Sequence, residues 1–329
     1  MTNMKKLGLS ALAGSLVAFS ANAAELSVAG GVELTYTDTG GNRGNEVTGN
    51  SFGANSSVTM SGSGDVGFGT VSMTRTLNDT NTGWGSSFQT LDMGDMGTLS
   101  FDSTAGALVG ITANDDLMPT AYEEVWTGVS GSGVSGVGST NVIGYKNTFG
   151  MFSISAGYSN GGAAAQAESS AQGAGNLGSV EDIYVSAAVM DGLTIGAGHA
   201  TNGTTDISTT SEDTTSSVGN IVYSTGPVSI GYRMAETNKG TAATASRVVD
   251  HYSIAFNVND NFAISWGQQD TEVEALSVTK AVTEEVTGIS AAYTAGAASV
   301  RVNHSKSDND NGVTATDDET TEVSLVLSF

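Results

Sequence analysis

From about residue 24 onward, apolar and polar side chains alternate with a period of two. Leu26, Val28, Val32, Leu34 and Tyr36 interleave with Ser27, Ala29, Gly31, Glu33 and Thr35. Phe152, Ile154, Ala156 and Tyr158 interleave with Ser153, Ser155 and Gly157, and the same rhythm returns over 183–189, 228–234, 252–258 and 262–266. Successive side chains of a strand point to opposite faces, so each block predicts a strand with one apolar face and one face of small or polar residues.

The connections between these blocks alternate between short and long. Short ones, with the Gly, Asp, Asn and Pro of tight turns, lie near 62–65, 92–97, 147–150, 190–192, 224–227, 259–261 and 294–296. Long ones run over 38–50, 78–85, 103–139, 160–179, 202–214, 237–247, 271–285 and 307–319. Seven turns and eight loops imply sixteen strands. An even count with turns on one rim and loops on the other predicts an all-β transmembrane antiparallel barrel, with short periplasmic turns and long extracellular loops. The length agrees, because sixteen strands of about 10 residues use roughly 160 of the 306 residues from 24 to 329. A soluble sandwich would lack the long–short rhythm. A solenoid adhesin would show a fixed repeat, and none is present. The last block puts Val323, Leu325, Leu327 and Phe329 on the lipid side and Glu322, Ser324, Val326 and Ser328 on the lumen side, as a strand closing on the first requires. Aromatic residues such as Tyr36, Tyr158, Tyr232, Tyr252, Trp266 and Tyr293 fall on the apolar parity near strand ends, as interfacial girdles do.

The N-terminus follows a different rule. Lys5 and Lys6 precede an apolar stretch over 7–19 and the Ala21-Asn22-Ala23 site, which predicts a cleaved secretory signal peptide over 1–23 and a barrel over 24–329. The chain has no cysteine, which excludes a disulfide scaffold and thiolate chemistry. His199, His251 and His304 stand far apart with no nucleophile signature beside them, so neither an enzyme nor a metal or cofactor site is expected. Without Lys5 and Lys6 the chain holds nine basic and 34 acidic residues, a net charge of −25, which repels nucleic acid. The "SDNDNG" stretch over 307–312 lacks the EF-hand spacing and reads as hydrated surface.

Sixteen strands enclose a lumen too wide for side chains to fill, so function depends on what narrows it. The longest connection, 103–139, holds Val109, Ile111, Leu117, Met118, Pro119, Tyr122, Val125 and Trp126, enough apolar surface to pack inside the barrel. It also carries Asp115, Asp116, Glu123 and Glu124 and no basic residue. On the wall, Glu33, Arg233 and Arg301 lie inward by alternation, while the parity of Arg75 is ambiguous. A narrow passage lined by carboxylates attracts cations. The expected function is passive diffusion of ions and small hydrophilic solutes with weak cation selectivity. A substrate-specific channel is the alternative, and it would show aromatic or arginine tracks along the lumen.

The signal peptide, "GDMGTLSFD" before the long loop, "NVIGYKNTFGMFSISAGYS" after it, and the strand ending in Phe329 resemble the general porins of Gram-negative bacteria. The resemblance implies an outer-membrane homotrimer whose third extracellular loop folds into the pore. It also implies an eyelet in which basic wall residues face acids of that loop, with Lys146 of "GYKN" at a basic wall position. In that family the terminal aromatic residue, here Phe329, is the signal read by the outer-membrane assembly machinery. The chain lacks the Pro-Glu-Phe-Gly-Gly run of enterobacterial members, and its arginine ladder is thin.

Overall fold

The computed structural model describes residues 23–42, 50–79, 84–104, 109–114, 117–129, 134, 136–137, 141–159, 177–204, 213–238, 246–274 and 282–329. The expected signal segment over 1–22 lies outside them. The described residues form sixteen strands. The first seven are β1 (Ala23–Gly41), β2 (Phe52–Asp65), β3 (Thr70–Asn78), β4 (Trp84–Asp92), β5 (Thr98–Thr104), β6 (Val142–Phe149) and β7 (Phe152–Ser159). The rest are β8 (Leu177–Met190), β9 (Leu193–Thr204), β10 (Thr214–Thr225), β11 (Val228–Asn238), β12 (Ser246–Asn259), β13 (Phe262–Glu274), β14 (Val282–Ala295), β15 (Ala298–Asp308) and β16 (Asp317–Ser328).

Each strand pairs antiparallel with its sequence neighbours, and β16 returns to β1 to close the barrel. The seam register puts Glu33 opposite Val326 and Leu34 opposite Leu325. Phe329 extends it, exchanging two 2.9 Å backbone hydrogen bonds with Gly30. Its ring lies close over Gly30, where an added Cβ would come within 2.7 Å of two ring carbons, so a side chain there would push the ring aside. Closure leaves no sheet edge unpaired, which the hydrocarbon core demands.

Burial follows the alternation. Ile230, Met234, Tyr252, Ile254, Ile264 and Trp266 are exposed on the outer face. The residues between them, including Arg233, His251, Ser253 and Gln269, point inward and are buried. What buries them is the connection between β5 and β6. Its apolar side chains lie on the inner wall in two clusters, Ile111 with Tyr184, Ala200, Val218, Ala235 and Val249, and Val109 with Val137 and Val142. The core of this protein is therefore between loop and wall, not between sheets. Each fully buried aliphatic side chain contributes on the order of 1.5–3 kcal/mol there.

The wall is uneven. Strands β3 to β7 have 7 to 9 residues, while β8 to β16 have 11 to 14.

Candidate functional site: the loop-narrowed lumen

The pore loop is held at its root by one carboxylate. Asp182 on β8 points inward and is 4 % exposed. It accepts the backbone N–H of Ile111 and that of Val137, the latter at 3.2 Å, so both legs of the loop meet on one side chain. Ser155 accepts the adjacent Gly110 N–H at 2.8 Å. The wall makes room by omitting side chains. A Cβ on Gly157 would sit 2.7 Å from methyl carbons of both Val109 and Val137.

Further along, the loop crosses to the opposite wall. Ala121 N–H donates to Ser265 Oγ at 2.9 Å, and Tyr122 N–H donates to Ser290 Oγ at 3.2 Å. Val125 settles over Gly267 and Gly288, where a Cβ on Gly288 would lie 2.8 Å from the Val125 Cα. The Trp126 ring lies 5.9 Å from the Arg233 guanidinium carbon and meets His251 edge-on at 5.4 Å between centroids. Thr320 Oγ1 donates to Gly128 O at 2.8 Å.

Between these anchorages Tyr122 reaches into the lumen. Its hydroxyl donates to Glu322 Oε1 at 3.0 Å and to Glu33 Oε1 at 3.4 Å, and Ser324 also donates to Glu33. The Arg301 guanidinium carbon sits 5.0 Å from the Tyr122 ring centroid. Burial, reinforced by Glu322 and Glu123, pushes the Tyr122 hydroxyl above the usual phenol range, so it stays a donor. Glu123 accepts from Thr127 Oγ1 at 3.1 Å. Glu123 and Glu124 border a small cavity of about 10 Å³ between loop and wall.

The residues singled out from the sequence separate accordingly. Glu33 and Arg301 meet at Tyr122. Lys146 points inward on β6 and lines a polar recess of about 360 Å³ with Asn114, Ser155 and Tyr184. Asp115 and Asp116 lie outside the described residues. Arg233 points inward as expected, but it is 0 % exposed beneath the loop and does not line open lumen. Arg75 requires a correction, because it faces outward. The register sets it opposite Met60 on β2 and Ser87 on β4, and it shares its parity with exposed Val71, Met73 and Leu77. Its guanidinium bonds backbone oxygens of Thr74 and Phe88 at 3.0 and 3.4 Å. Sequence reasoning missed Asp182, Glu322 and Tyr122 as parts of the constriction. An inward acid on a wall strand was the available signal for the first two.

A closed sixteen-strand barrel with an apolar belt outside and a loop folded across its polar lumen defines an outer-membrane channel. The Gram-negative porin family profile matches residues 8–326, and the chain belongs to that family. No curated protein sequence matches it. Among solved structures, a refined porin superposes with a TM-score of 0.67 at 15% identity, covering 93% of this chain and 100% of that one. In vitro folded OmpT, an outer membrane protein of Vibrio cholerae, gives 0.62 at 15% identity, with 92% and 97% covered. A mutant of Rh. blastica porin gives 0.62 at 10% identity, with 93% and 100% covered. The protein is thus a porin of the outer membrane, a channel and not an enzyme.

Proposed function

We propose that this porin lets ions and small hydrophilic solutes diffuse passively with a weak preference for cations. The carrying observation is the group formed by Glu33, Glu322 and the loop residue Tyr122, with Glu123 close by and Arg301 as the neighbouring cation. Carboxylates in a narrow polar passage raise the local cation concentration. Lys146 acts as a basic wall residue, and Asp115, Asp116 and Glu124 add loop acidity.

The working unit is a homotrimer. Supporting this, Arg75 sits five residues above the first residue of β3 on the lipid-facing parity, where an arginine facing lipid costs about 2–4 kcal/mol near the midplane. The short strands beside it support the same reading. Seven residues of β5, tilted near 45°, rise only about 16 Å against an apolar band of about 25 Å. A neighbouring subunit covering this arc removes both mismatches.

Residues 1–23 serve as a cleaved export signal, 24–329 as the barrel and 103–139 as the constricting loop. Phe329 serves as the signal for the assembly machinery. Planar-bilayer recordings under a KCl gradient test the central claim. A reversal potential of cationic sign with closure in three equal steps supports it, whereas a clear anion preference or single-step closure refutes the corresponding half.

A further inference from the structure

The "SDNDNG" stretch between β15 and β16 reads as hydrated surface in the sequence, yet the structure buries Ser307 and Asp310 within it. The chain turns back on itself there, with Asn309, Asn311 and Gly312 at φ of 57°, 53° and 72°, a left-handed run that asparagine and glycine tolerate best. The turn is closed from within. Gly312 N–H donates to Asn309 O at 2.8 Å, Asp310 N–H to Thr316 O at 3.0 Å, and Ala315 N–H to Asn309 Oδ1 at 3.1 Å. It leans to the lumen side. Arg247 on β12, Val273 on β13 and Glu284 on β14 share the inward parity of buried Val249, Thr271 and Val286, and each meets the turn. Glu284 accepts Asn311 N–H at 3.0 Å and Ser307 Oγ–H at 3.2 Å. Gly312 lies against Val273, where an added Cβ would fall 2.9 Å from the Val273 Cβ. Arg247 Nη2 donates to Asn311 Oδ1 at 3.5 Å. On the side of the seam, Asn42 accepts Asp317 N–H at 3.1 Å and donates Nδ2–H to Ala315 O at 3.0 Å.

We infer that this turn, over 309–316, is a second constriction of the channel, at the extracellular mouth and in series with the pore loop, and that Glu284 is the residue that positions it. An inward carboxylate at the rim of a water-filled lumen is ordinarily hydrated. Glu284 is instead fully buried, and hydrogen bonds from the turn and from Ser307 take the place of that water. From β15 the turn crosses back over the inner faces of β14 and β13 as far as Arg247 on β12, so it occupies lumen and not the space above the rim. On β13 and β14 it stands at Val273 and Glu284, on the extracellular side of Gly267 and Gly288, where Val125 of the pore loop rests. A solute entering from outside therefore passes the turn before the eyelet, and one entering from the periplasm reaches the eyelet first. The exposed part of the turn, Val313, Thr314 and Ala315, carries no charge, so this constriction sorts by size. Held to the wall at one end and to Asn42 at the other, it stands across the mouth permanently.

The inference rests on the reading that current passes through this lumen. Single-channel recordings of the wild type, Glu284→Ala, Glu284→Gln and Gly312→Val test it, with polyethylene glycols of graded size added to one side and then to the other. A polymer that enters a mouth lowers the current, and one too large leaves it unchanged, so each mouth has its own size limit. In the wild type the two limits should differ. Glu284→Ala removes the acceptor for Asn311 and Ser307. Gly312→Val sets a side chain against Val273 at a φ of 72° without altering any charge, and it carries the test alone if Glu284→Ala does not assemble. Both should raise the smaller limit and leave the larger one where it was, an effect confined to one side that a general loss of stability would not give. Glu284→Gln still accepts and should stay close to the wild type. Equal limits on the two sides of the wild type, or a smaller limit unmoved by Glu284→Ala and Gly312→Val, overturn the inference. Absence of current in the wild type would instead overturn the reading of the pore.

Discussion

The two anchorages of the pore loop differ in how completely their buried polar groups are matched. At the root, polar groups are matched: Asp182 takes two backbone N–H groups, Ser155 takes a third, and valines fill the space left by wall glycines. At the far end, Trp126 lies over Arg233 and against His251, and the buried His251 and Gln269 side chains have no hydrogen-bond partner among the described residues. A buried polar group without a partner costs about 1–3 kcal/mol. The root therefore fixes where the loop enters the lumen, while the far arm, held by Ser265, Ser290 and Thr320 and by packing, covers buried polar groups left without hydrogen bonds and should yield more readily.

Removing the root should have the largest effect. Asp182→Ala deletes a charged acceptor shared by two N–H groups and leaves both buried without one, a loss of about 3–5 kcal/mol in loop docking. Increased open-channel noise at all pH values and protease cleavage within 103–139 would show it. Asp182→Asn should be milder, because an amide oxygen still accepts but without the charge. If Asp182→Ala is as quiet as the wild type, the distinction between a fixed root and a yielding arm is lost.

The next test attacks the far arm through its packing. A methyl group added at Gly267 meets the Cγ1 of Val125, and overpacking of this kind costs about 1–3 kcal/mol. Gly267→Ala should raise the closing rate, and Val125→Ala in the same chain should restore much of the wild-type behaviour. Gly288→Ala should resist the same rescue, since its added carbon meets the Val125 Cα at 2.8 Å and carbonyl oxygen at 3.0 Å. Closing rates of the four variants form the measurement, and equal rescue at both glycines contradicts the geometry.

Much of the barrel can be read from the sequence because lipid imposes its own rule. Outward positions such as Ile230 and Ile254 must be apolar and inward ones need not be, so parity survives in the text of the chain. Beyond the apolar band that rule lapses. Accordingly β13 continues to Glu274 and β14 begins at Val282, inside what reads as one long loop over 271–285. Arg75 misleads for a related reason: its parity partners Met73 and Leu77 face outward, and the rule that makes outward positions apolar gives no reason to expect a charge among them. What Asp182 and His251 meet could not be read from the sequence. Their partners are loop residues 71 positions away in the case of Ile111 and on a separate arm in the case of Trp126, and such contacts leave no period in the sequence. The loop's apolar content showed that it packs, but not which wall residues receive it.

The smallest effect expected is at Tyr122, which belongs to the far arm and bonds there to acids of the eyelet. Its hydroxyl has its ordinary value at 10.0 and is shifted upward, chiefly by burial. A raised value means the hydrogen bonds are fully present below about pH 10 and are lost only as pH rises beyond the shifted value, so the tyrosine donates throughout the range in which a bilayer is usable. Tyr122→Phe removes the donor shared by Glu33 and Glu322, about 0.5–1.5 kcal/mol for an ordinary bond and somewhat more to a carboxylate. Two consequences follow with different readouts. The two carboxylates lose a compensating dipole, so the reversal potential under a KCl gradient should move further toward cations. The far arm loses one tether, so closures should become slightly more frequent, by less than in Gly267→Ala. Because the phenol does not titrate, both differences from the wild type should persist unchanged from neutral to mildly alkaline pH. A shift toward anions would mean that the tyrosine, and not the acids beneath it, sets the charge presented to passing ions.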